Sequence, residues 1–165
     1  QVLAVGSQRI AWYVPGCVRA MYFNVNSTLF SLWVPWPTLV FRAIEGHLSL
    51  AALAQSDRPS ANSPVFHAPL MNLNEATALC TGNALVPQGC GVTDCDGYEK
   101  AVYETNFSHV NHSRTLRVAK SKTVTNEVHV RFWRALQDKK AKRFPSDALV
   151  PLNKTLGQWL SRRAS

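Results

Sequence analysis

With 165 residues, 46% of them hydrophobic, the chain is long enough to bury a core without staples and reads as one domain over residues 1–165. Only 17% of the residues are charged and no tract is low in complexity, which excludes a disordered chain. The net charge of +8 is uneven: residues 114–165 carry thirteen of the 18 Lys and Arg against three acids, whereas residues 1–113 carry five bases and seven acids.

A basic C-terminal third favours acidic partners, with nucleic-acid contact as one option and a solvated helix face as the other. The longest apolar stretch, Ser27–Phe41, is broken by Pro35 and Pro37 and is too short to span a bilayer. No basic-then-apolar signal opens the chain, so a cytoplasmic protein without membrane contact is expected. The chain starts at Gln1, and native residues are expected upstream of it. Cys17, Cys80, Cys90 and Cys95, with glycosylation-type sequons at Asn26, Asn106, Asn111 and Asn153, keep a secreted, disulfide-bonded reading open.

In chain order, Arg9–Val14 and Arg19–Val25 read as short strands rich in aromatic and β-branched residues. The Pro/Trp-rich run 33–37 reads as a connection. Thr38–Ile44 and His47–Ala54 read as a hairpin about Glu45-Gly46, with Leu48 and Leu50 on one face. The run 56–63 is turn-rich and Pro64–Leu70 is extended again, which gives an antiparallel meander. Residues 71–95 have no period of either kind, and an irregular stretch of that length in a compact domain is usually functional. Asp96–Glu99 fits a capping box for a helix to about Thr105 that buries Tyr98, Ala101 and Val102. Thr125 or Asn126 caps a second helix, with Val128, Phe132, Ala135 and Leu136 inward and Arg131, Arg134 and Lys139 outward. A third helix, about Thr155–Arg162, buries Leu156, Trp159 and Leu160. Strands followed by helices give an α+β domain.

Cys80 stands out within His67–Asn83, between the strands and the helices. His67 and His109 are candidates to poise protons near it. Cys90 and Cys95 lie five apart, and a zinc site with His109 and His112 is conceivable. That spacing matches common zinc patterns poorly, so a disulfide or two inert thiols is preferred.

Asn72 precedes Cys80 by eight residues, Leu79 is aliphatic, and Arg58-Pro59 leads towards Pro64. In these features the chain resembles the ubiquitin-conjugating enzymes. Val34–Phe41, Arg58-Pro59, His67–Cys80 with Gly82-Asn83, Phe107–Asn111, Phe144–Leu152 and Thr155–Gly157 together resemble prokaryotic ubiquitin-conjugating-like family D, the PRTRC system B proteins. The resemblance implies a four-stranded antiparallel meander, an active-site loop and C-terminal helices. It implies that Cys80 accepts a ubiquitin-like protein as a thioester from a ThiF-like activating enzyme of a plasmid-type cassette, with no metal or cofactor. It implies that Asn72 stabilises an oxyanion or holds the loop in shape. Two departures stand out: Leu70-Met71 replaces the family's His-Pro, and Thr77 replaces its Gly three residues before the cysteine. A non-catalytic scaffold of the same fold is the competing reading.

Overall fold

In the computed structural model, residues 1–81, 85–118 and 123–161 are described. Val2–Gly6 (β1) and Arg9–Val14 (β2) form a hairpin. Val18–Val25 (β3) and Thr28–Pro35 (β4) form a second, turned by Asn26 and Ser27 at φ of 52° and 61°. Thr38–Ile44 (β5) and His47–Leu53 (β6) form a third, turned by Glu45 and Gly46 at φ of 50° and 80°. Two consecutive positive φ values suit the right-handed twist of the flanking strands. The Glu45-Gly46 turn is where the sequence predicts it. The second hairpin is a correction, because Trp33–Pro35 of the expected Trp/Pro connection end β4 and only Trp36-Pro37 connect it to β5. Its turn lacks glycine, and only the left-handed tolerance of Asn26 hints at it.

Pro64–His67 (β7) pairs with β6, and Pro151–Thr155 (β9) pairs with β7, completing a six-stranded sheet ordered β1-β2-β5-β6-β7-β9. β3 and β4 join Asn106–Phe107 (β8), parallel to β3, in a separate sheet ordered β4-β3-β8. The first-half strands therefore divide between two sheets instead of forming one four-stranded meander. Among the described residues, three α-helices come after β7 and alternate with the last two strands: Cys95–Tyr103 (α1) before β8, Asn126–Asp138 (α2) before β9, and Leu156–Ser161 (α3) after it. Gly82, Asn83 and Arg162 of the sequence reading lie outside the described residues. The fold class is α+β, as the order of elements requires.

Neighbouring residues of the central strands enter two different cores. Trp12, Phe41 and Leu50 join Tyr98, Phe107 and Trp133 in one, whereas Tyr13, Val40 and Ala51 join Leu156 and Trp159 in the other. The period of two in a strand sends alternate side chains to opposite faces, so a sheet covered on both sides reads as a nearly continuous apolar run.

Helix faces bring two corrections. α1 begins at Cys95, and Asp94, not Asp96, stands at its N-cap. α2 is capped by Thr125, whose Oγ1 accepts from the Val128 N–H, but its buried residues are His129, Trp133 and Leu136. Ala135 is exposed, and Val128 and Phe132 are half-buried. The inward face is rotated because His129, polar by type, is buried with its Nδ1 accepting from Trp133 Nε1 at 3.1 Å. Among the described residues, no helix is long and apolar enough to cross a membrane.

Candidate functional site

β6 offers one edge to two partners. Ala51 and Ala52 pair with β7, which ends at His67. Beyond that end the same edge takes back the chain: Leu50 N–H donates to Thr77 O at 2.9 Å, Leu79 N–H donates to Leu48 O at 2.9 Å, and Ser49 bridges Ala78. The chain leaves the sheet at Ala68 and returns at Thr77. Leu70, Met71 and Leu73 anchor the excursion in the larger core at 0%, 1% and 1% exposure. The Leu70-Met71 departure thus serves as a hydrophobic plug.

Within the excursion, residues 72–80 close a tight hairpin. Leu73 bridges Leu79, Asn74 N–H donates to Ala78 O, and Asn74 Oδ1 accepts from the Ala78 N–H at 2.9 Å. Cys80 N–H donates to Asn72 O at 2.7 Å. The eight-residue spacing read from the sequence is therefore the span of a hairpin whose two ends are bonded to each other. Cys80 itself is exposed.

Asn72 is buried, at a φ of 61° that Asn tolerates better than most residues. Its Oδ1 accepts from Ser108 N–H (3.1 Å), Ser108 Oγ (3.1 Å) and His109 N–H (3.3 Å), and its Nδ2 donates to Asn106 O (3.3 Å). Its N–H donates to His109 O at 2.9 Å. Asn72 thus ties the Cys80 hairpin to the segment after β8. Asn126, at the start of α2, extends the network: its Oδ1 accepts from Val110 N–H and its Nδ2 donates to Ser108 O. Neither Ser108 nor Asn126 is singled out as a site residue by sequence. The only signal of Ser108 is its place in the Phe107–Asn111 run.

Thr77 explains the second departure. It sits at φ 75°, a left-handed conformation that glycine adopts freely and a β-branched residue does not. Its Oγ1 accepts from the buried Trp159 Nε1 at 3.2 Å. The hydroxyl satisfies a donor that would otherwise be orphaned inside the smaller core.

The two candidate histidines separate. His109 is exposed beside the Asn72 network, with Nδ1 within 2.8 Å of Ser108 Oγ. His67 is buried on the side of the smaller core, its ring 5.0 Å from that of His112. Burial, followed by the charges of His112, Arg114 and Lys154, lowers its pKa to about 4, so it is neutral at pH 7. Cys17 and Cys80 are exposed, Cys90 is half-buried and Cys95 buried, all as free thiols. Cys90 and Cys95 are thus not joined as a disulfide. Among the described residues, no group of three or more His, Cys, Asp or Glu is placed to hold a metal ion.

The arrangement puts an exposed thiol at the end of a backbone-bonded hairpin, carried on a fixed sheet edge and clamped by a buried Asn. No curated protein and no solved structure matches the chain. The model of prokaryotic E2 family D matches residues 1–152, a span that includes both sheets up to the start of β9 and the whole Cys80 hairpin, and the chain belongs to that family.

Proposed function

We propose that the protein is a single-domain ubiquitin-conjugating-like carrier enzyme of a plasmid-type cassette, with Cys80 as the acceptor. The Cys80 thiolate attacks the thioester carbonyl by which a ThiF-like activating enzyme holds a ubiquitin-like protein. A new C–S bond forms and the activating enzyme's thiolate leaves. An acceptor amine later attacks the carbonyl carbon: an amide C–N bond forms, the amine loses a proton to solvent, and the C–S bond breaks as Cys80 departs as thiolate. Only the thiolate is nucleophilic, so the thiol must be reachable by a partner's thioester. The observation that carries this reading is the exposed Cys80 whose N–H is bonded to Asn72 within a family D chain.

The Asn72 carboxamide is largely spent on the 106–109 segment, which supports it as a positioning residue that holds the loop in shape. The exposure of His109 beside the Asn72 network, two residues past β8, supports it over the buried His67 as a proton relay. Incubation with the cassette's activating enzyme, ATP and its ubiquitin-like partner tests the proposal. A thiol-labile adduct is expected on the natural chain and not on Cys80→Ala. Its absence from both, or its persistence in the variant, overturns the assignment.

A non-catalytic scaffold is the second reading. The observation favouring it is that Arg131, Arg134, Lys139, Lys140, Lys142 and Arg143 are all exposed on α2 and the turn after it. Salt-dependent duplex DNA binding that vanishes on neutralising the Lys139–Arg143 cluster, with Cys80→Ala harmless in cells, would select it.

A further inference from the structure

Cys80 and His109 are both bonded to Asn72 through the backbone: Cys80 N–H donates to Asn72 O at 2.7 Å, and Asn72 N–H donates to His109 O at 2.9 Å. Two hydrogen bonds and the length of one residue separate the Cys80 nitrogen from the His109 oxygen, so the two lie within about 9 Å of each other. Cys80 and His109 are exposed, whereas the Asn72 that joins them is buried. An exposed thiol and an exposed imidazole thus share one buried clamp. Asn126 pins the residue on each side of His109, accepting from Val110 N–H at 2.8 Å and donating to Ser108 O at 3.3 Å.

The bonds of the Ser108 hydroxyl fix where the protons sit. Its Oγ lies 3.1 Å from Asn72 Oδ1 and 2.8 Å from His109 Nδ1. Asn72 Oδ1 can only accept, and its orientation is set by the Ser108 and His109 N–H groups that also donate to it. A serine hydroxyl has one proton to give. Both of its bonds are made together only when that proton goes to Asn72 Oδ1 and the oxygen accepts from His109 Nδ1–H. His109 Nε2 then carries no proton and can take one. Once it has, each donor in the row keeps its acceptor: His109 Nδ1–H donates to Ser108 Oγ, and Ser108 O–H donates to Asn72 Oδ1. The row accommodates an imidazolium with no rearrangement.

We propose that His109 is the general base for transfer of the acyl group from Cys80 to an amine, and that Ser108 is a positioning residue that keeps the His109 Nε2 lone pair available. The inference rests on the reading of Cys80 as the acceptor and separates its two steps. On charging, one thiolate attacks and another leaves, so no proton has to be taken up. On discharge, the amine nitrogen attacks the acyl carbon and its proton passes to His109 Nε2. The C–N bond forms, and the C–S bond breaks as Cys80 leaves as thiolate. The imidazolium then returns the proton to solvent. A base must stand within hydrogen-bond reach of the attacking nitrogen, directly or through one water, and a backbone separation of about 9 Å leaves that space between the thioester and the imidazole.

Charging Cys80 by exchange with a peptide thioester of mercaptoethanesulfonate, then adding free lysine, tests the proposal without a partner protein. Discharge to lysine is expected to slow about a hundredfold in His109→Ala, within the usual contribution of a general base. It should slow about tenfold in Ser108→Ala, as loss of a hydrogen bond to a charged group does. Both variants should still take up the peptide. Ser108→Thr, which keeps the hydroxyl, should discharge nearly as the natural chain does, and added imidazole should restore His109→Ala. Discharge at the natural rate in either Ala variant overturns the proposal, as does a loss in Ser108→Ala that extends equally to charging, or a His109→Ala rate that imidazole leaves unchanged. No uptake of the peptide by Cys80 overturns it too, whereas failure of the activating enzyme alone to charge Cys80 overturns only the carrier reading.

Discussion

Asn72 and Thr77 hold opposite ends of one short excursion by different chemistry. The Asn72 carboxamide accepts three hydrogen bonds at Oδ1 and donates one at Nδ2, so its two atoms can be tested apart. Asn72→Asp keeps the acceptor and is expected to fold with the 106–109 segment in place. Asn72→Ala orphans the Ser108 and His109 N–H groups and is expected to cost about 1–3 kcal/mol by denaturant titration, with a matching loss of thioester yield. At Thr77 the useful variant is Val, which keeps the shape and the β-branch while deleting the hydroxyl. Thr77→Val leaves the buried Trp159 N–H unpartnered, and a loss of about 1–3 kcal/mol with altered Trp159 fluorescence is expected. The eight-residue spacing of Asn72 and Cys80 is legible in the sequence. That the side chain faces Ser108 is not, because residue 108 is 36 positions away and joins only when β8 docks beside β3.

Hairpins and their turns set where the strands go. β5 and β6 pair as the sequence expects because Glu45-Gly46 is a turn signal between two apolar runs. β3 and β4 lack such a signal, and Trp33 is 63% exposed, which makes the end of β4 look like a loop. Their connections to the main sheet are tight. A Cβ on Gly16 would lie 2.7 Å from Trp36 O and 3.1 Å from the Pro37 carbonyl carbon, so the turn entering β3 and the turn leaving β4 are in contact. Gly16→Ala must push backbone against backbone. A loss of about 1–3 kcal/mol is expected from overpacking, measured as a lower denaturant midpoint with unchanged slope. α2 shows the limit of periodicity. Val128-Phe132-Ala135 and His129-Trp133-Leu136, one residue apart, both satisfy a helical repeat, and the Trp133–His129 bond goes with burial of the second.

At the scale of the whole molecule, stability is coupled to pH through two buried histidines. Burial lowers the pKa of His67 to about 4 and that of His129 to about 3. The unfolded chain takes up protons at about 6.5, the ordinary histidine value, whereas the folded chain does not until these lower values are reached. The stability from keeping both neutral is therefore complete above pH 6.5 and is lost as pH falls from 6.5 towards 4. The slope is about 1.4 kcal/mol per pH unit for each histidine. Denaturant titrations between pH 7 and 4.5 should show this fall, and His67→Gln should flatten its share. A stability constant across that range would contradict the burial of both rings.

The α+β class, the Glu45-Gly46 hairpin, the three helices and the eight-residue spacing of Asn72 and Cys80 were determined by the sequence alone, because turn residues, caps and apolar periods act over a few neighbours. The division of strands into two sheets, the inward face of α2 and the clamp of Asn72 on Ser108 were decided by the tertiary structure. So was the meeting of Cys80 and His109 at that clamp. Each depends on groups dozens of residues apart satisfying buried hydrogen bonds, and such pairings are fixed only when the sheets and helices pack.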